Sequence, residues 1–373
     1  MDSGSDVTER IRKLNVGVGV AVTLAALALY LLTLAPTVLE ADSGEFQFVP
    51  WLPGIAHPTG YPLYILLGWL WTHLLPLGSV AWRMNLFSAV GAALAVGLTC
   101  AVATNLLRQT WPNTPQSARS ITAAVTAATF AVTPAFWSQA IIAEVYALHM
   151  VFVALIVWLA LKLQTAPARW VSYLLAVVFG LSLAHHLTTI LLAPALLVYL
   201  WLIDRDRTPF LDKIKALTKH LPFVAAPLGL YLSLPLLAPH TPYATIHLSD
   251  SQTLNLYRNS ALGWLQHVTA TVFTGELQPA AVGSQRWLLV GQFWLEQMGW
   301  AGIGLAIIGL GTLWRQRRLD LLALTGLSTL ALLAFNLIYF IGDVFVLFIP
   351  VWWFACLWLG LGGLGLVHRA AGW

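Results

Sequence analysis

Charge is what this sequence has least of. Only 9% of its 373 residues are Asp, Glu, Lys or Arg, and 59% are hydrophobic; an average soluble protein carries roughly 25% charge. A water-soluble fold of this composition would have too little polar surface to cover itself, so lipid must be the solvent for much of the chain. Cysteine is scarce too. Cys100 and Cys356 each lie inside an apolar run, which gives no disulfide framework and no cysteine metal cluster. The alternating pattern of membrane β-barrel strands is missing. So are a phosphate-binding loop, a dinucleotide fingerprint and a His-Glu-x-x-His pair, and a Gly-x-Ser-x-Gly elbow. No soluble nucleotide cofactor and no metal signature is therefore implied.

What is present is a series of long apolar runs, such as Val16–Ala35 and Leu319–Phe340. At about 20 residues per crossing, they predict an all-α, polytopic membrane protein of about ten transmembrane helices. The spans fall at about 16–35, 85–107, 120–136, 147–165, 170–184, 187–203, 221–238, 288–312, 319–340 and 344–367. The first run is longer than a signal-peptide core and lacks a good cleavage site, so it reads as a span. Together the spans form one membrane domain over residues 1–373, with no internal repeat and no soluble part large enough to fold alone.

Tyr61–Leu77 is apolar but short, with prolines at both ends. Charge decides its place. If it stays outside as a juxtamembrane or re-entrant helix, only Arg83, Arg258 and Arg286 of the 19 basic residues face outward. The rest, Arg205 and Arg207 among them, share the inner side with both termini. If it crosses, that asymmetry reverses for everything beyond it, against the positive-inside rule. The outer side then holds three loops, at about 36–84, 137–147 and 239–287.

Eight of the 15 acids fall on that outer side: Glu40, Asp42, Glu45, Glu144, Asp250, Glu276, Glu296 and Asp343. Several interrupt apolar sequence at span ends, where an ionised carboxylate is costly and usually functional. Histidines share the bias, with His57, His73, His149, His185, His186, His240, His247 and His267 outside or at outer span ends. The densest cluster is Glu40-Ala-Asp42-Ser-Gly-Glu45. If it turns helical, Asp42 and Glu45 lie one turn apart on one face, as a general base with a second carboxylate that orients it or binds substrate. The segment His57-Pro-Thr-Gly-Tyr61-Pro fixes the backbone that follows and presses His57 towards the acids. Glu144 and His149 begin the next span and should turn inward. A divalent cation could sit among Asp42, Glu45 and Glu144, though no motif demands one. Adjacent His185 and His186 point about 100° apart on a helix and would chelate poorly. Tryptophans such as Trp51, Trp69, Trp71, Trp264, Trp287, Trp352 and Trp353 read as an interfacial belt.

In order along the chain come Asp42-Ser-Gly-Glu45, His57-Pro-Thr-Gly-Tyr61-Pro-Leu-Tyr64, Arg83-Met-Asn-Leu-Phe-Ser-Ala89, Phe136-Trp-Ser-Gln139, Ala143-Glu-Val-Tyr-Ala-Leu-His149 and Gly180-Leu-Ser-Leu-Ala-His185-His186. This series resembles the GT-C superfamily of membrane glycosyltransferases. Within it, the series is closest to a family that includes an animal endoplasmic-reticulum protein O-mannosyltransferase and many bacterial members. The resemblance covers about residues 16–195 well. It continues weakly in Gly263-Trp-Leu-Gln-His267 and in Asn336 to Asp343. The large C-terminal soluble domain of many relatives is not among these residues.

The resemblance implies an inverting transfer of a sugar, mannose among the options, from a polyprenyl phosphate to a hydroxyl of a protein or glycan. It also implies an extracytoplasmic site in a membrane such as the bacterial inner membrane, and no nucleic-acid partner. By position Asp42 is the implied base, with Glu45 beside it. His57, Tyr61, Glu144, His149, His185, His186 and His267 are implied substrate ligands, and Arg258 and Arg286 face the leaving phosphate. The lipid-linked sugar is then a substrate rather than a cofactor. Two other functions compete with this one. A lipid-carrier flippase or transporter should show an internal repeat and charges at mid-span, and a non-catalytic scaffold leaves the clustered Asp42, Glu45, His57 and Glu144 without a purpose.

Overall fold

Proline and serine set where many helices begin. The computed structural model describes residues 3–204, 209–249 and 251–372; Arg205, Arg207 and Asp250 lie outside the described residues. Its helices are α1 (Ser3–Leu32), α2 (Ala41–Phe48), α3 (Pro62–Leu74), α4 (Val80–Thr110), α5 (Gln116–Ala131), α6 (Pro134–Ala140), α7 (Val145–Thr165), α8 (Arg169–His185), α9 (Ala193–Ile203), α10 (Phe210–Leu228), α11 (Ser233–Leu237), α12 (Ala261–Val268), α13 (Ser284–Arg315), α14 (Leu319–Leu322), α15 (Ser328–Ile338) and α16 (Ile349–Ala370). One hairpin, β1 (Thr245–Ser249) against β2 (Gln252–Asn255), interrupts the long loop at about 239–287. Pro62, Pro134, Pro194 and Pro350 occupy first-turn positions, where the missing N–H costs nothing and the fixed φ suits a helix. The Ser79 hydroxyl caps α4 by accepting from the Trp82 N–H at 3.2 Å.

Among the described residues, seven helical segments, some joining consecutive helices, are long and apolar enough to cross a membrane: Lys13–Leu32, Val80–Thr110, Val145–Thr165, Leu211–His240, Ser284–Arg315, Leu319–Ile338 and Val344–Ala370. Gln116–Ala131 and Pro134–Ala140 make an eighth if counted together, although the chain bends by 71° between them. Arg169–His185 and Leu187–Ile203 are apolar but shorter. Each segment expected to span thus meets an apolar helix or helix pair. By length and composition there are seven or eight candidate spans among the described residues, and a count of ten requires both short helices to cross as well. The segment at 61–77 forms α3 with 13 residues, too short to span at 1.5 Å per residue.

The core is built around α16, with 89% of its most apolar stretch buried. Backbones meet there. A Cβ added to Gly309 would come within 1.9 Å of the Trp358 carbonyl oxygen, and one added to Gly362 within 2.0 Å of that of Leu305. Such close approach of α13 and α16 is the small-residue packing on which helices in lipid rely. Several threonines inside the bundle are satisfied locally. Thr99, Thr126 and Thr325 each donate to the carbonyl four residues back, and Thr99 and Thr325 also accept from the indoles of Trp353 and Trp358. Trp352 and Trp353 are fully buried. They are core residues and not part of an interfacial belt, because α16 runs through the centre of the bundle and leaves no lipid-facing side at that level. Cys100 and Cys356 are both buried thiols.

Candidate active site

The short helix α2 carries the acidic motif. Asp42 stands in its first turn and Glu45 one turn further on. Glu45 turns back onto the loop that follows. Its Oε1 accepts from the His57 backbone N–H at 2.9 Å, and its Oε2 pairs with His57 Nδ1. A carboxylate at Nδ1 puts the ring proton there and leaves Nε2 as the free position. His57 Nε2 lies 4.0 Å from Asp42 Oδ2. The ring is flanked by Phe46 and Tyr61, with centroids at 5.4 and 5.2 Å. Burial pulls the His57 imidazole down, but the hydrogen bond and charge of Glu45, with Asp42 and Glu144 behind them, outweigh it and hold the group above its ordinary value. The side chain of Asp42 is 57% exposed, against 21% for Glu45, so Asp42 is the acid an incoming molecule can reach.

Glu144 reaches the same helix from the loop before α7. It is the residue before α7 and is 8% exposed. Its Oε1 accepts from the Ser43 hydroxyl at 3.0 Å. Its backbone N–H donates to Ser88 Oγ at 3.1 Å, and its carbonyl accepts from that hydroxyl at 3.2 Å. Burial raises the Glu144 carboxyl to about 8, with the Ser43 hydrogen bond opposing and the Asp42 charge adding. Asn85, one helical turn before Ser88, completes the seam. Its Oδ1 accepts from Gln47 Nε2 and from the Ala143 N–H, both at 2.9 Å, and its Nδ2 donates to the Ala35 carbonyl at 2.8 Å. The loop after α1, the loop before α7 and the start of α4 are thereby tied into one unit.

The three histidines expected nearby form a second layer. Tyr61 bridges to them, 6.0 Å from the His186 ring. His149 and His186 stack loosely at 4.7 Å, and the Thr188 hydroxyl bonds His186 Nδ1 at 2.7 Å. His185 points elsewhere, its Nε2 on the Val145 carbonyl at 2.9 Å and its ring against Tyr64. His186 is the extended residue that follows α8, so the two rings are set apart by the end of the helix rather than by helical spacing. Asp343, before the last span, stands at the rim of the acid cluster; partial burial and the Asp42 charge both raise its carboxyl.

Three other expected ligands lie apart from these acids. His267 is buried, and its Nε2 bonds the Ala56 carbonyl at 3.0 Å. Burial pushes it to about 4, so it is a neutral ring that props the residue before His57. Arg286 is buried and spends its guanidinium on the carbonyls of Leu337, Asn336 and Tyr339, at 3.3, 2.8 and 2.5 Å. Arg258 is exposed and, among the described residues, its guanidinium has no hydrogen bond or ion pair. Arg83 caps the end of α3 through the carbonyls of Thr72, Leu77 and Gly78.

Among the described residues, the ligand atoms that converge are those of Asp42, Glu45 and His57, all within 4.8 Å of one another. These, rather than Asp42, Glu45 and Glu144, are the set that could hold a divalent cation, because Glu144 is turned onto Ser43. Sequence reasoning gives no site role to Ser43, Gln47, Asn85 and Ser88, although three of them stand in the quoted motifs, and leaves Asp343 outside the site. A signal exists in Asn85 and Ser88, two polar residues three apart at the start of an otherwise apolar span.

Residues 42–208 match the family described as the protein O-mannosyl-transferase TMEM260 N-terminal domain. The chain has the GT-C fold and is O-mannosyltransferase-like in sequence. It is 33% identical to the protein O-mannosyl-transferase TMEM260 of Mus musculus over 226 residues, which is 57% of this chain and 30% of that protein. It is 24% identical to the Dictyostelium discoideum counterpart over 322 residues, or 80% of this chain and 37% of that one. The chain thus spans about a third of the length of the curated relatives it matches. Its fold is similar to that of ArnT from Cupriavidus metallidurans bound to undecaprenyl phosphate, with a TM-score of 0.66 at 16% identity, covering 96% of this chain and 61% of ArnT. The family match opens at Asp42, so the acid cluster, the Asn85 seam and the histidine layer all fall inside it.

Proposed function

We propose that this GT-C protein transfers a sugar, with mannose the first candidate, from a polyprenyl-phosphate carrier to a hydroxyl on a protein or glycan at the extracytoplasmic membrane face. The observation that carries this reading is an exposed carboxylate, Asp42, set beside a fixed Glu45–His57 pair in the part of the chain that matches the O-mannosyl-transferases. The undecaprenyl phosphate held by the structurally similar ArnT supports a lipid-linked donor.

Asp42 accepts the proton of the acceptor hydroxyl as that oxygen attacks the anomeric carbon. The bond from that carbon to the phosphate oxygen breaks on the opposite side, so the sugar inverts and the polyprenyl phosphate leaves with the electron pair. Glu45 does not need to touch the acceptor. Its two bonds to His57 fix the imidazole whose Nε2 faces Asp42. The negative charge growing on the leaving phosphate calls for a cation, and Arg258 is the outer arginine with a free guanidinium among the described residues. Incubating the reconstituted protein with short-chain polyprenyl-phosphate mannose or glucose and a Ser/Thr peptide, and following donor and product by mass spectrometry, tests the reading. Glycosylated peptide is expected; intact donors after incubation with well-folded protein would overturn it.

A further inference from the structure

We propose that the β1–β2 hairpin of the third outer loop lies on the membrane surface, with its apolar face in the boundary between headgroups and acyl chains. Its two faces differ in chemistry. On one, Ile246 pairs directly with Leu254, and Leu256 continues the row two residues on, its N–H bonded to the Ala244 carbonyl. On the other, Thr245 pairs with Asn255 and His247 with Thr253, with side-chain bonds of 3.1 and 3.3 Å across each pair. Leu248 stands at the bulge between them. The apolar side chains are uncovered by the chain: Ile246 is 37%, Leu248 63%, Leu254 44% and Leu256 39% exposed. A two-stranded hairpin alone is marginal in water, and uncovered apolar side chains in a row mark a contact surface.

Lipid is the occupant that the surroundings specify. The hairpin follows directly from the Leu211–His240 span, of which only 11% of the most apolar stretch is buried against the chain. That span turns its surface to lipid, with Leu232 and Leu236 61% and 73% exposed near its end. Strand β1 begins five residues beyond His240, at most about 17 Å away at 3.3 Å per residue. One turn of 3₁₀ helix, Pro242–Ala244, shortens the path further. The apolar row is therefore continuous with a lipid-facing surface. Residues 245–255 carry one formal charge, Asp250, and no Lys or Arg, so insertion to the depth of the headgroups costs little. Seating of the hairpin in lipid is independent of the transfer reaction and holds or fails without it.

The test places a nitroxide label at Leu254→Cys or Ile246→Cys, and at Thr253→Cys on the polar face. The full chain is reconstituted in phosphatidylcholine–phosphatidylglycerol nanodiscs. The native cysteines are both buried, and an unsubstituted sample corrects for any labelling of them. Collision with oxygen, which concentrates in lipid, is compared with collision with a water-soluble nickel chelate. The oxygen-to-nickel ratio is expected to be several-fold higher at 254 and 246 than at 253. Equal, water-like ratios on both faces would overturn the proposal. So would a label at 254 shielded from both reagents, which would mean that protein covers that face.

Discussion

Glu45 holds His57 at two points, the backbone N–H and ring Nδ1, so the carboxylate sets both where the loop passes and which way the imidazole faces. Loop and ring are fixed by one side chain, and the ring's free nitrogen is delivered 4.0 Å from Asp42. Glu45→Gln keeps an acceptor for the backbone N–H but loses the charge opposite the ring. We predict that this variant folds, that the His57 imidazole titrates lower than in the wild type when followed by NMR, and that transfer falls less than in Asp42→Asn. An unchanged His57 titration would contradict the pairing.

Glu144 should make stability depend on pH. Its carboxyl titrates near 8 in the folded chain, against an ordinary value of 4.5 once unfolded, so between those values the unfolded chain has released a proton that the folded chain keeps. Stability from this group is therefore fully present below about 4.5, falls as pH rises towards 8, and is flat beyond it. The fall is about 1.4 kcal/mol for each pH unit in that window. Glu144→Gln, whose amide oxygen still accepts from Ser43, should flatten that slope and melt higher than wild type at pH 8. Parallel melting curves of the two proteins across this range would refute the assignment.

Asn85→Ala should loosen the acid-bearing helix. It leaves the Ala143 N–H and the Ala35 carbonyl without the partner each now has, and takes one of two acceptors from Gln47 Nε2, which keeps the Thr37 carbonyl; a buried group so orphaned costs about 1–3 kcal/mol. The expected result is a lower thermal midpoint in detergent together with faster proteolysis of the 36–61 loop. A wild-type midpoint would show that the seam does not hold the loops together.

Packing of the last spans gives an internally controlled prediction. Gly362→Ala drives a methyl into the Leu305 carbonyl, whereas Gly363→Ala on the same helix meets nothing within 4 Å. The first should destabilise by about 1–3 kcal/mol or more and the second should be near neutral, as thermal unfolding would show.

Much of this is legible in the sequence, and the reasons for what is not are specific. Long apolar runs announce a helical membrane protein because they obey a one-dimensional rule. Helical spacing brings Asp42 and Glu45 together, and the prolines around His57 bring it to them. The roles of Arg286 and His267 depend instead on which distant carbonyls they meet, those of Asn336 to Tyr339 and of Ala56, and no local pattern encodes that. The burial of Trp352 and Trp353 follows from α16 being central, a property of the packed bundle. The possible cation ligands change from Glu144 to His57 because a single hydrogen bond from Ser43 turns Glu144 away.

The most direct test of the central claim compares wild type with Asp42→Asn in the polyprenyl-phosphate sugar assay, with thermal unfolding measured on both. Transfer by the wild type is expected, with a loss of roughly 10²–10⁴-fold in the variant. The unfolding midpoints should be alike, because Asp42 is exposed and makes no hydrogen bond that the fold depends on. A folded Asp42→Asn protein that transfers sugar at the wild-type rate would contradict the assignment of Asp42 as the base.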